Sequence, residues 1–486
     1  MNNSKFKALW DFIFLSGGEM IGKIAGLVAF AYLARTLGPK AYGSVEVALA
    51  LLSILTLLVQ FGFGPIGARE ISRNPESTNL YARWIPGSRL VLALIAVPVM
   101  WGIAEIMSHS PETKELIFIT AFALFGIVWN QSWLFQGMEK MSVVSLNQAL
   151  KMVFYFVCVV LFVKSPDDLI KVAYIEVASA AVMAFYFLVI QRGLSVPIGI
   201  RINPQIILKM VKKAFAVGAS NVIWALNQYL PTLIVALMVG GAATAWMGSA
   251  HRIVNAIITF SMVYHFNLFP AVSYRLHHSA LAFNKIVWPS FRVTAWAGIF
   301  IALVISLFAE WVSFIVFGEN FVEAALPMAV LIWSLPLTLL NGHARWALIA
   351  KDKQRYVCYA QLAGTVTTVV VGLLLIPSYG PSGGAITMVF CSGMVWLVAH
   401  MYASKLVARI PSIDIAWRPF FIALMILFLV QFFGDDSMIA SIVGIVLYLG
   451  LAPFVDKTLI GDMHALSKIK NDKHYEIAGK KQVIKE

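Results

Sequence analysis

Lys23 stands midway in one long apolar run, Trp10–Leu33, with Glu19 one helical turn before it. A helix of roughly 20 apolar residues spans the hydrocarbon of a bilayer. A charge at the centre of such a helix costs several kcal/mol unless it faces protein or water. Two chemistries are open here. Glu19 at i−4 shares the face of Lys23 and can neutralise it locally. Alternatively, Lys23 presents a cation to an anionic ligand, while Glu19 orients it or exchanges protons. Gly18, Gly22 and Gly26 form a small-residue stripe on the same run, read first as a close-packing face and second as a place to bend.

Other ionisable groups fall inside apolar runs. Arg252 follows Ala250-His251 in the run 245–269, and Lys151 lies midway in 143–163. Glu176 in 169–190 either pairs with Lys151 or titrates. Arg35 closes the first run. Arg89, Arg292 and Arg345 lie within reach of the ends of their runs, where snorkelling is expected. Lys23, Lys151, Arg252, Arg35 and Arg345 are the candidates for a cationic lumen; Glu19 and Glu176 are candidates for ion coupling. Asn221, Asn227 and Gln228 precede Pro231, and Asn255, His265 and Asn267 lie in the next run. Asn221, Asn227, Gln228 and Asn255 are polar lumen candidates. The plainer alternative is inter-helix hydrogen bonding at about 0.6–2 kcal/mol each. Pro231 is expected to break its helix, so that the freed carbonyls face protein or water.

The elements that position these residues are helices. The chain of 486 residues is 60% hydrophobic and 13% charged, a balance that no soluble surface explains. The alternating short segments of an outer-membrane barrel are absent. About fourteen stretches meet the length criterion: 10–33, 42–64, 85–107, 116–138, 143–163, 169–190, 214–238, 245–269, 287–309, 326–349, 356–376, 384–404, 419–433 and 438–455. With the N-terminus inside, the inner loops carry Arg69, Arg73, Lys140, Arg192, Lys212, Lys213, Arg275, Lys351, Lys353, Lys405 and Arg409, among others. The opposite loops carry only Arg35, Lys40, Lys114, Lys164 and Lys171. The asymmetry sets both termini in the cytoplasm.

The basic inner segment 191–213 divides helices 1–6 (1–190) from helices 7–12 (214–404); helices 13–14 (405–455) and a basic tail (456–486) follow. Gly43 precedes Pro65 by the same interval that separates Gly248 from Pro270, with Tyr42 and Trp246 nearby. An offset of six helices preserves orientation, so the repeat is parallel, about an axis along the membrane normal.

Several functions are disfavoured. The net charge of +13 reads as the positive-inside bias of loops and not as a nucleic-acid surface. Cys158, Cys358 and Cys391 give neither a disulfide framework nor a metal motif, and His277-His278 lacks a third ligand. No P-loop and no nucleophilic triad spacing occur, and the outer loops are short, so no catalytic residue and no resident cofactor is expected.

Ala34-Arg-Thr-Leu-Gly-Pro-Lys-Ala-Tyr-Gly43 after a Lys-bearing helix resembles the bacterial polysaccharide (O-antigen) flippase family of the multidrug/oligosaccharidyl-lipid/polysaccharide exporter superfamily. Trp133-Leu-Phe-Gln-Gly-Met-Glu-Lys-Met141 with Asn147 and Lys151 is similar to its second signature. Ala250-His-Arg-Ile-Val254 and Leu268-Phe-Pro270 are similar to a second-lobe signature. The resemblance implies an all-α protein with two six-helix lobes around a central cationic cavity, in the bacterial inner membrane. It also implies an undecaprenyl-pyrophosphate-linked oligosaccharide as substrate, and alternating access coupled to H+ or Na+. Membrane lipids and other polysaccharide assembly proteins are the further partners expected. Lys23, Lys151 and Arg252 match the cations that hold the pyrophosphate in the family. Twelve helices are common there, so the last pair has no carried-over role, and the fourteen-helix lipid II flippases stay in view. The competing readings are a multidrug exporter, a membrane glycosyl polymerase or ligase, and an anion channel.

Overall fold

Two glycine–proline pairs cut the longest helices. Asn2–Gln60 is 59 residues of nearly continuous helix, which at 1.5 Å per residue would run roughly 90 Å, about three hydrocarbon thicknesses. Gly38 breaks it at φ 71° and ψ 170°, backbone that an L side chain rarely adopts. Pro39 restarts the helix, where its missing N–H costs nothing. Gln354–Leu406 is broken in the same way at Gly380, φ 53°, ahead of Pro381. Each long helix therefore holds two membrane-crossing lengths.

The structure is a computed structural model. It describes residues 2–107, 110–278, 280–411, 413–433 and 438–469. The side chains of residues 2–17, Glu19, Asn267, His277 and His278, and everything from Lys470 on, lie outside the described residues. No strand occurs among those described. All fourteen apolar stretches fall on helical segments, with short interruptions. Among the described residues, ten helices are long and apolar enough to cross a membrane by length and composition. The chain is an all-α multi-pass membrane protein. Pro204–Met238 and Gly241–His278 are not among the ten; they carry the amides, His265 and Arg252.

The packing groups the chain into two compact units: Met1–Ser249 with Val316–Phe321 and Ile376–Pro381, and Ala250–Ile315 with Val322–Leu375 and Ser382–Glu486. Pro204–Met238, assigned with helices 7–12 from sequence, packs within the first unit against Asn2–Gln60. The expected break at Pro231 does not occur. The helix continues through it, and the ring is buried, so the one lost hydrogen bond is shielded by protein instead of facing lipid.

In the first unit the glycine stripe is a packing face. A Cβ on Gly18 would overlap Ser145, one on Gly22 would lie 3.3 Å from the Gln148 carbonyl, and one on Gly26 would lie 3.5 Å from Met152 Sδ. The two number series rise together, so Asn2–Gln60 and Met141–Phe162 run parallel here at backbone-contact distance. The repeat-related glycines meet at one crossing. A Cβ on Gly43 would overlap the Gly241 carbonyl, and one on Gly248 would lie 2.5 Å from Glu46 Cγ.

In the second unit Ala280–Leu307 packs against Ser334–Ala350, Ile413–Phe433 and the short helix Leu459–Ile469. Arg292 does not snorkel. Its Nε lies 3.1 Å from Asp456, and it also holds Asp462. The stretch read from sequence as tail thus begins with a helix docked by an ion pair.

Candidate functional site

Lys151 and Glu176 close on each other from neighbouring helices, Nζ to Oε1 3.0 Å, with side chains only 16% and 11% exposed. Of the two sequence alternatives for Glu176, pairing is the one observed. The glycine register places Lys23, between Gly22 and Gly26, level with the segment Gln148–Met152 that contains Lys151. The two lysines therefore stand within about one turn of each other in height. Lys23 is exposed, on the face that also exposes Met20 and Ile24. Glu19, its proposed partner, lies outside the described side chains.

Arg35 stays at the end of the first crossing. Its Nε donates to the Val316 carbonyl at 3.1 Å, and its side chain lies along Gly318. Asn227 is buried, while Asn221 and Gln228 are half-buried, all on Pro204–Met238 of the first unit. In the second unit Arg252 and Asn255 are half-buried, one turn apart on Gly241–His278. Arg345 was expected to reach outward. Instead its Nε is buried without a hydrogen-bond partner, and its guanidinium carbon lies 5.9 Å from the centre of the Trp346 ring. An arginine so placed retains its charge and is one donor short of satisfaction.

Three features escaped sequence reading. Arg89, expected near an interface, is 3% exposed and donates to the Asn130 carbonyl at 2.5 Å. Glu46 is 6% exposed, pressed against Gly248; a carboxylate so deep in an apolar helix is a functional candidate by default. A histidine pair in the second unit is the third feature, described below. By contrast, the Trp133–Met141 signature is structural. Trp133 is 2% exposed beneath Gly64 and Gly67, and Asn147 donates to the Met183 carbonyl at 3.1 Å.

Each unit holds a cavity of its own. One of about 550 Å³ in the first unit is lined by Lys40, Ser44, Glu112, Thr113 and Asp167, among others. One of about 1000 Å³ in the second unit is walled by Trp333, Trp396, Trp417, Phe420, Leu424 and Leu427, among others. The first offers charges and hydroxyls; the second suits an apolar chain. Among the described residues no three His, Cys, Asp or Glu side chains gather as a metal site.

A family model described as Polysaccharide biosynthesis protein matches residues 8–276, more than half of the chain. A "Putative O-antigen transporter" of Escherichia coli (strain K12) is 25% identical over 181 residues, 36% of this chain and 43% of that protein, so the match spans less than half of its length. A protein of the same description from Shigella dysenteriae is 20% identical over 378 residues, 76% of this chain and 93% of its own. Among solved structures, the lipid II flippase MurJ in its inward closed conformation superposes with a TM-score of 0.74 at 14% identity, covering 92% of this chain and 100% of that one. At that identity the likeness is one of fold.

Proposed function

Because the chain belongs to the polysaccharide biosynthesis protein family, we propose that it is a transporter, not an enzyme, that flips an undecaprenyl-pyrophosphate-linked oligosaccharide from the cytoplasmic to the periplasmic leaflet. The support comes above all from the two lysines at one height within the first unit, Lys23 and Lys151. A lysine in an apolar helix calls for negative charge near it. Glu176 answers Lys151; a pyrophosphate supplies further negative charge.

The remaining chemistry follows from the cargo. A sugar head cannot enter hydrocarbon, because each unpaired hydroxyl costs several kcal/mol. A polyprenyl tail is at home there. A wet, cation-lined path for the head with the tail in lipid or in an apolar groove resolves the conflict. Lys23, Lys151, Arg252, Arg35 and Arg345 offset the desolvation of the anion. The amides Asn221, Asn227, Gln228 and Asn255 meet sugar hydroxyls. With the cell interior negative, each anionic charge moved outward gains about 2.3 kcal/mol per 100 mV. An entering H+ or Na+ resets the empty carrier by alternating access. The lysine and arginine bias of the loops supports the inner membrane, with both termini cytoplasmic.

The test is a leaflet assay. Purified protein in vesicles loaded with the lipid-linked oligosaccharide is expected to bring the sugar within reach of an added lectin faster than protein-free vesicles do. Equal rates overturn the reading. Acceleration of lipid II alone assigns the chain to peptidoglycan precursor, and efflux of a cationic dye alone assigns it to drug export.

A further inference from the structure

Three helices of the second unit bring two histidines into a hydrogen-bonded chain that the flipping mechanism leaves unused. His265 and Tyr264 come from Gly241–His278, Ser290 from Ala280–Leu307, and His343 from Ser334–Ala350. His265 and His343 are both 3% exposed. Tyr264 Oη lies 2.8 Å from Ser290 Oγ, which lies 2.7 Å from His343 Nε2. His343 Nδ1 lies 3.2 Å from the Leu339 carbonyl and 3.5 Å from His265 Nε2. His265 Nδ1 lies 2.8 Å from the Ser261 carbonyl. Gly342 permits this approach, since a Cβ there would overlap the His265 ring.

Carbonyl oxygens only accept, which fixes the tautomers. His265 Nδ1–H donates to Ser261, leaving Nε2 bare. His343 Nδ1–H donates towards Leu339 and His265, and its Nε2 accepts from Ser290, whose oxygen accepts from Tyr264. The neutral chain is satisfied at every link, and His265 Nε2, which accepts only the long 3.5 Å contact from His343 Nδ1, is the nitrogen left to take a proton.

We propose that the His265–His343 pair is a proton-binding site that takes up a single proton and couples transport to the proton gradient. The coupling half rests on the flippase reading; proton binding does not. A hydronium ion gives its proton to Tyr264 Oη, and Tyr264 passes its own to Ser290. Ser290 passes its proton to His343 Nε2, and His343 passes the Nδ1 proton to His265 Nε2. Each group loses one proton and gains one until His265, which keeps the last as an imidazolium. It then donates to the bare His343 Nδ1, a charge-assisted bond stronger than the neutral one, while the Leu339 contact is given up. One water is released and the net charge rises by one. The groups acting on the pair are Tyr264 and Ser290 by hydrogen bond, Phe291 by ring contact at 5.5 Å, and the like-charged Arg345. Among the described residues no carboxylate joins the two histidines as a third member. Arg345 carries the same charge as the bound proton and opposes it. Two ring nitrogens without a carboxylate suit a proton; a hard cation such as Na+ calls for oxygen ligands.

Proton uptake by the purified full-length protein, measured between about pH 8 and pH 4, tests the site without any transport. Of the nine histidines, loss of this one acceptor in His265→Gln is expected to remove about one proton per molecule. His343→Gln, which keeps His265 but cuts the relay, is expected to slow uptake at the pair. Unchanged uptake in folded His265→Gln overturns the site. In vesicles, transport by the wild type is expected to respond to an imposed pH gradient and that by His265→Gln is not. A preserved response in the variant overturns the coupling and leaves the flippase reading standing.

Discussion

Lys151→Met alone is expected to lower the stability of the purified protein by about 3–5 kcal/mol, because it leaves the Glu176 carboxylate buried and uncompensated. The pair is short at 3.0 Å and both side chains are mostly covered, so water cannot take over the role of the lost partner. Lys151→Met combined with Glu176→Leu is expected to recover most of that stability, since an apolar pair of similar volume removes both charges together. The measurement is thermal unfolding in detergent. A single variant within about 0.5 kcal/mol of wild type, the range of ordinary surface changes, contradicts a buried pair. Under the proposed function the recovered double variant still transports poorly. Its fold is repaired, but one of the cations that offset pyrophosphate desolvation is gone.

Trp133→Ala is expected to cost about 3–5 kcal/mol, the range for removing a buried aromatic side chain. Trp133 belongs to a core that includes Phe63, Ile66, Ile85 and Leu134, and the flat faces of Gly64 and Gly67 close on its ring. The surrounding helices cannot collapse into the gap without moving these glycine contacts. Unfolding in detergent again reports the change, and a loss below about 1 kcal/mol would mean that the site relaxes freely. Because Trp133 stands in a stretch that resembles a family signature, loss of function in this variant should be read as loss of fold.

What could be read from the sequence was local. The gap between the runs 10–33 and 42–64 announced a turn between two crossings, and Gly18, Gly22 and Gly26 announced a packing face, because each depends only on neighbours in the chain. The Lys151–Glu176 alternative was visible because two charges in adjacent apolar runs restrict each other. Long-range partners stayed hidden. Arg292 with Asp456 and Asp462, Arg89 with Asn130 and His265 with His343 join residues far apart in sequence, and no periodicity encodes such meetings. The one local signal for the histidines was Gly342 beside His343, and a glycine there had several explanations. Pro231 misled for the opposite reason. A local rule predicted a break, and burial of the ring outweighed it.

The cationic path is tested most directly by the lectin-accessibility assay on a protein carrying Lys23→Gln and Arg252→Gln together, with membrane insertion and thermal unfolding checked in parallel. The expected result is a normally inserted, folded protein whose transport of the lipid-linked oligosaccharide falls at least about tenfold, equivalent to about 1.4 kcal/mol. Transport at the wild-type rate by that folded double variant would contradict the account.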